Sequence, residues 1–570
     1  MSLSSSLLTS WDYIFVGGGL SASVVAHRLY ERDEQLKILV VEAGPDANNV
    51  ADIVYPNSTN TIGGSFDWKY VTVNQTNLDD RAVSYPAGKA LGGGTVINQA
   101  GWVRGDKTDF DLWGQTVDDP RWSYEGLLPF MKKSEEFWGD TITSTDEHGF
   151  DGLMAIQSET STNRLYPMRE QVHSSWHAVG LKDVPGLDAN GGDSLGVAQL
   201  QENRLNGRRE IAAARYSLQG VTVLTNTSVA KVLLNNDKTP KGLSAVGIKL
   251  ANGTEIRGQE VILSAGAIRS PQILMLSGVG PANELKKFDI PVLLDQPAVG
   301  ANLADHGLFS HQWRVKNASA GWCPGSGNPL FQEPQYGWGT PTDFIVSSDV
   351  PKAGLAAAIA ADEGVTPPAN HPLLQSRAFS EHLFMYTGST NGSLVTFGLI
   401  SLLTTSRGSV KLASGDISDP PLIDPNFLGT AVDRYVAREG LRLQIRFVGS
   451  NETVLGRDII AGEVGAAGFD QVLTAGSSDA ELDARLRAGL GTTFHPMGTL
   501  AMGSVVDTDL KVRGVQNLRV VDTSVFPIVP TGHLQVPAYA TAEQAAVIIW
   551  ESRSKSNVTG RCPPLKNRRI

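Results

Sequence analysis

The segment VGGGLSA at 16–22 sets Gly17, Gly19 and Ala22 in a G-x-G-x-x-A spacing. That spacing brings backbone against a pyrophosphate. The first glycine makes a tight turn, the second leaves no side chain in the way, and the small third residue lets a helix pack on a strand. The amides of Leu20 and Ser21, at the start of that helix, would then face the phosphates. Glu42 follows Ala22 by twenty residues, where a carboxylate can accept from ribose hydroxyls and disfavours a 2′-phosphate. NADP is therefore not expected, whereas FAD and NAD remain equal on the fingerprint alone. Among ten histidines, His495 in FHPMG and His533 in TGHLQVP are the candidates for proton transfer near neutral pH. His173 and His177 have the i,i+4 spacing of metal ligands. With no third ligand nearby they read as a solvated helix face, and no metal is expected. Neither a G-x-S-x-G nucleophile motif nor a GK[ST] phosphate loop occurs.

These residues need a scaffold, and the pattern supplies one. An apolar strand, Tyr13 to Val16, precedes the glycines, a helix from about Ser21 to Tyr30 follows, and a second strand, Ile38 to Val41, ends at Glu42. Residues 165–180 read as an amphipathic helix. The segments VTVLTNT, VAKVLL, AVGIKL and VILSAG between 220 and 265 read as strands. Residues 315–370 are rich in Gly, Pro, Ala and Ser with weak periodicity, the composition of a lid or variable substrate region. A β segment near 394–412, a helix near 431–448, the strand LRVVD and a long helix from Ala538 to Glu551 complete the pattern. His495 and His533 lie 38 residues apart. The strand LRVVD followed by the Pro-rich reversal FPIVPTG can return the chain to the same side of a sheet.

Length and composition narrow the class. At 570 residues the chain predicts two joined domains, and 41% apolar with 19% charged residues is the balance of a globular protein. A net charge of -11 without a Lys/Arg-rich run argues against nucleic acid, and no apolar stretch reaches bilayer length. Cys323 and Cys562 fit no metal spacing; they read equally as one disulfide or two thiols. The opening MSLSSSLLTSW lacks the regions of a signal peptide. Eight Asn-x-Ser/Thr sequons, more than Ser/Thr content alone would supply, nonetheless favour a secreted glycoprotein whose leader has been removed or replaced, with chance sequons in a cytosolic enzyme as the alternative.

Longer motifs add to the fingerprint. GKALGGGTVINQAGWVRGDKTDFD (Gly88 to Asp111), GAIRSPQILMLSGVG (Gly266 to Gly280), VGANLADH (Val299 to His306) and RGSVKLASGDISDPPLIDPNF (Arg407 to Phe427) are followed by blocks running from Phe494 to Ala546. In this order they resemble the glucose-methanol-choline oxidoreductases over nearly the whole chain. The resemblance implies a mixed α/β fold, with a Rossmann-like FAD domain and an interleaved substrate domain on an antiparallel sheet. The expected division is 12–310 for the FAD domain with substrate-domain insertions near 150–220, then 311–488 for the substrate domain. Residues 489–553 should return to the FAD domain with the histidine pair.

The resemblance further implies that Leu20, Ser21, Glu42, Gly93, Asn98, Ala100, the backbone at Val229, and Asp522 contact FAD. Members with covalent flavin carry a histidine beside the Asn98 position; Ile97 stands there in this chain, so non-covalent FAD is expected. His495 is implied as general base and His533 as its hydrogen-bonding partner, both at the flavin N5. His306, within VGANLADH, reads as structural. The reaction implied is hydride and proton removal from a small alcohol, with oxygen or a quinone-type compound as electron acceptor. The pattern H-x-Q-x-P-x-Y after His533 is similar to aryl-alcohol oxidases, and Gly491 replaces an arginine of glucose oxidases. Gln99, however, stands where aryl-alcohol oxidases carry an aromatic gate, so a broader primary-alcohol pocket stays open. The alternatives are a sugar oxidase or dehydrogenase, a non-redox FAD-containing lyase or cyclase, and a non-catalytic FAD-binding protein.

Overall fold

The computed structural model describes residues 10–55, 61–140, 146–236 and 242–559. Two eight-stranded sheets organise them. In the first, Thr222–Leu224, Ile38–Val41, Trp11–Val16, Glu255–Leu263 and Leu518–Val520 run parallel, in that spatial order. Ile14, Phe15, Leu39, Val40, Val261 and Ile262 are fully buried. These uninterrupted apolar runs, with no polar alternation, are what strands covered on both faces require. Beyond its parallel half, Glu255–Leu263 also pairs antiparallel with Leu243–Leu250, which pairs in turn with Val229–Asn236.

The helix after the glycine turn is Leu20–Arg32, and it buries Ala22, Val25, Ala26 and Leu29. The terminal helix, Gln535–Thr559, begins three residues before the expected Ala538. The two helices are joined by Arg28 and the buried Glu543 at 2.8 Å. Glu543 also receives Lys133 Nζ at 2.7 Å and the Tyr216 hydroxyl at 3.0 Å. A carboxylate taken this far out of water is tolerated because it is fully paired.

The second sheet runs Ile460–Glu463, Gly307–Val315, Leu394–Ser401, Ser380–Met385, Phe344–Ser348, Gly196–Gln199 and Asp183–Asp188, with Gly491–Thr492 added beside Gly307–Val315. It is antiparallel except for Asp183–Asp188, a parallel edge strand. Phe309, His311, Trp313 and Val315 point inward in strict alternation with more exposed neighbours, the pattern of a strand with one face in a core. Helix Ala431–Gly449, capped by Thr430, packs on this sheet, and its Gln444 Nε2 donates to the Gly398 carbonyl at 2.7 Å.

The segment 315–370 is more ordered than its composition predicts. It holds the strand Phe344–Ser348 and the helix Lys352–Glu363, which buries Leu355, Ala358 and Ile359. The alanines favour helix, and flanking Gly and Pro obscured the short period. Cys323 is buried, and Cys562 lies outside the described residues. Among the described residues no helix is long and apolar enough to cross a membrane.

Candidate active site

Between the two sheets lies one cavity of about 820 Å³, toward the upper end of the range for small-molecule and cofactor sites. One end is built on the first sheet. Gly17, Gly19, Leu20, Ser21, Glu42, Gly93, Asn98, Ala100, Val229 and Asp522 all border it. Ala22 does not; it is fully buried beneath the helix, where its small side chain allows close packing. Ile97 and Gln99 border the cavity, whereas Gly491 lies in the strand pairing with Leu308 and is not part of its wall.

This end has the form of a dinucleotide cradle. Helix Leu20–Arg32 has no side-chain cap and no acid in its first turn, so its amides open toward the cavity as an anion site. A methyl group at Gly19 would meet protein only at 3.8 Å, so glycine there leaves room for a ligand rather than for neighbouring protein. Gly93 has φ +56°, and a Cβ on it would lie 2.8 Å from Gly19 Cα: the GGG loop is pressed onto the fingerprint turn. The buried Arg209 holds that loop through the Thr95 carbonyl at 3.0 Å and the Asn98 carbonyl at 2.6 Å. Ser264 Oγ, at the cavity wall, is buried without a partner among the described residues. Glu42 accepts the Gly18 and Gly44 amides, each at 2.7 Å, so it ties the turns together as well as facing the cavity. Asp522 caps the turn Thr523–Val525 and accepts from Gly266 N and Ser270 Oγ. Burial raises the pKa of both carboxyls. The residues present therefore fit FAD.

At the other end, His495 and His533 border the same cavity with ring centroids 5.3 Å apart. Around them the wall is largely apolar: Leu200, Leu308, Leu383, Met385, Ile400 and Phe494, with Ser310, Thr340 and Gln99 as polar points. Phe494 is an aromatic at this wall that the comparison of Gln99 with an aromatic gate did not anticipate.

Each histidine has a distinct partner. His495 Nδ1 lies 2.9 Å from His306 Nδ1, so His306 is not merely structural: it touches the candidate base. Its neighbour Asp305 accepts the His495 backbone amide at 3.0 Å and the Thr492 hydroxyl at 2.6 Å. Asp305 thereby secures a backbone in which Phe494 has φ +66°, an uncommon conformation for a bulky residue. His533 Nε2 lies 3.0 Å from Oε1 of the buried Glu381. A Cβ on Gly101 would lie 2.6 Å from His533 Nδ1, so glycine is needed there for the ring to fit.

These surroundings split the two imidazoles. Burial, and then the neighbouring His306 and His533 rings, hold His495 well below the usual histidine pKa. His306 itself is pushed down to about 3, chiefly by burial. Burial works against the charged form of His533 too, but the charge and hydrogen bond of Glu381 overcome it and raise the pKa. The first proton to enter the pair therefore goes to His533, and its charge keeps His495 neutral.

Asp305, His306 and Glu381 were not among the residues singled out for catalysis. Asp305 and His306 belong to VGANLADH, where the motif was visible but its contact with His495 was not. Glu381 carries no sequence signal; only the pairing of Ser380–Met385 with its neighbouring strands places it.

Comparison with known proteins gives the same picture. Family models described as GMC oxidoreductase match residues 11–308 and 404–542. The GMC-type oxidoreductase acuG of Aspergillus aculeatus is 35% identical over 94% of this chain and 98% of its own length. Pyranose dehydrogenase 2 of Leucoagaricus meleagris is 30% identical over 95% of this chain and 93% of its own. Among solved structures, a variant of Aspergillus oryzae formate oxidase studied for its FAD modification superposes with a TM-score of 0.83. It is 25% identical, with 96% of this chain and 99% of that one covered.

Proposed function

The chain belongs to the glucose-methanol-choline oxidoreductases and is an FAD-dependent oxidoreductase, and from that premise we propose that it oxidises a primary alcohol with an apolar, aryl or allylic body. The observation that carries this reading is the imidazole pair of opposed proton affinity, set among apolar side chains at one end of the cofactor cavity. FAD, when bound, supplies the hydride acceptor. The side chains do the rest. A hydride leaves carbon readily only as negative charge develops on the alcohol oxygen, so a base must take the hydroxyl proton as the bond breaks.

His495 is neutral and takes that role. Two facing Nδ1 atoms hydrogen-bond only if one carries a proton. In the arrangement that a base requires, His306 Nδ1 is the acceptor of that bond. His495 then carries its proton on Nδ1 and presents a bare Nε2 to the alcohol. His306 is the orienting group, as a third residue orients the histidine of a triad. His533, charged through Glu381, supplies positive charge for the developing alkoxide. An external acceptor, oxygen or a quinone-type compound, completes the cycle. Ile97 beside Asn98 keeps the FAD non-covalent. All six sequon asparagines whose side chains are described (Asn74, Asn226, Asn252, Asn317, Asn391 and Asn451) are exposed, which supports a secreted glycoprotein; Asn57 and the Asn557 side chain lie outside the described residues.

Anaerobic flavin reduction tests the reading. His495→Ala should retain FAD yet bleach about 10² to 10⁴ times more slowly with benzyl alcohol, the usual worth of a positioned general base. A parental rate would remove His495 from the mechanism. Ser310, Thr340 and Gln99 together with the pyranose dehydrogenase relatives favour a hexose as the second reading; faster bleaching by glucose than by benzyl alcohol would select it. No bleaching by any alcohol would leave the lyase or cyclase reading.

A further inference from the structure

Helix Arg169–Ala178 buries Val172, Ser175 and Trp176 and turns the adjoining stripe, with His173 and His177, toward solvent. After the turn at Gly180 the chain enters the edge strand Asp183–Asp188, which brings Asp183 back beneath both rings. His173 Nε2 lies 2.7 Å and His177 Nε2 2.8 Å from the same Asp183 Oδ1, and the rings are 4.4 Å apart. The third ligand that the sequence did not disclose is therefore in place.

We propose that His173, His177 and Asp183 form a binding site for one divalent transition metal, zinc by its chemistry, which clamps the helix to the edge of the second sheet. Two histidines at i,i+4 on one helix face are a recurrent zinc-binding pair, and a carboxylate completes a three-ligand set with a fourth position open to water. Metal–ligand bonds of about 2.0–2.1 Å at tetrahedral angles separate neighbouring ligand atoms by about 3.3 Å. Each imidazole nitrogen, now 2.7 or 2.8 Å from Asp183 Oδ1, needs to part from it by only about half an ångström to admit the ion. They have the freedom to do so, since the side chains of His173, His177 and Asp183 are 25%, 46% and 39% exposed.

The site is nevertheless shaped. His173 lies nearly flat on Phe344, with centroids 5.2 Å apart and planes 16° from parallel, which fixes the direction of its nitrogens. Arg169, over the same Phe344 ring, is paired with Asp343 at 3.0 Å, so its charge is offset. Imidazole ligands select zinc, nickel or copper over magnesium or calcium. None of the three residues borders the FAD cavity. The metal would act on the fold, joining helix and edge strand and guarding an otherwise open sheet edge.

The test uses the FAD-containing protein without a polyhistidine tag. Calorimetric titration with zinc chloride should show one equivalent per chain, with a rise in melting temperature that magnesium does not produce. His177→Gln should weaken binding at least about 10-fold, and the double variant His173→Gln/His177→Gln should lose the equivalent while retaining flavin absorbance. His371→Gln, a control at a histidine paired with Glu363 rather than with Asp183, should bind as the parent does. Failure of the parent to take up an equivalent overturns the proposal, as does equal uptake by the parent and the double variant.

Discussion

Replacing Glu381 by glutamine removes the carboxylate 3.0 Å from His533 Nε2 and leaves a hydrogen-bonding group of the same shape. Burial alone drives that imidazole toward its neutral form, and Glu381 reverses the direction. At an effective dielectric constant of about 20, unit charges 3 Å apart attract by roughly 5 kcal/mol. That is enough to outweigh partial desolvation, so in Glu381→Gln the ring should be neutral in neutral buffer. Only the part felt more strongly in the transition state affects rate. A hydrogen bond to a charged group is worth about 1.5–3 kcal/mol, and each 1.36 kcal/mol is tenfold. Anaerobic stopped-flow reduction of the flavin by benzyl alcohol should therefore slow about 10- to 150-fold. The pH profile gives a second readout. A histidine whose pKa is raised in the fold keeps its proton above the ordinary value of about 6.5 and loses it as pH rises through the folded value. The parental rate should fall on that alkaline limb, and Glu381→Gln should move the limb to lower pH. FAD content, read from the flavin absorbance, separates this from unfolding. A variant with full FAD, parental rate and an unmoved alkaline limb would refute the role of the imidazolium.

Two further outcomes follow from packing and burial. Gly93→Ala puts a methyl 2.8 Å from Gly19 Cα at φ +56°, so the purified variant should carry less FAD than the parent, read as flavin released by acid precipitation; equal occupancy would show that the loop can retreat. His306 and His382, each buried and pushed down to about 3, stay neutral in the fold while the unfolded chain takes up protons below about 6.5. Stability is then lost as pH falls from that value toward 3, by about 2 kcal/mol per histidine at pH 5. Denaturant unfolding at pH 7.5 and pH 5 should show a loss that shrinks by about that amount in His382→Gln; comparison within each protein cancels packing changes, and identical losses would contradict the assignment.

The sequence carried the first sheet better than the second. Ile38–Val41 is a continuous apolar run ending at Glu42, which borders the cavity, and its limits were legible residue by residue. The glycines that border the cavity were legible for the same reason, since a glycine at a close approach leaves a local mark. The strands of the second sheet come from 183–199, 307–315, 344–348, 380–401, 460–463 and 491–492, and no local pattern joins them. Glu381 and Asp183 were illegible on that account. Each gains its meaning from a neighbour delivered by strand pairing, Glu381 from a residue 152 positions away and Asp183 from a helix that turns back over it.

The same reasoning explains why VGANLADH could be matched but not interpreted. Its Asp305 fixes the backbone at Phe494 and His495, and its His306 meets the His495 ring, yet 189 residues separate the two rings. His533 arrives by another route. Leu518–Val520 joins the first sheet beside Glu255–Leu263, Asp522 caps the turn at its end, and the following reversal docks His533 N on the Val103 carbonyl at 3.0 Å. The two imidazoles are chemically identical, and neither sequence distance nor residue type assigns them different work. The assignment comes from what stands behind each ring. A neutral imidazole behind His495 orients it without favouring its charged form, and a carboxylate behind His533 favours the charge there. Exchanging those backing groups, rather than the histidines, would exchange base and cation.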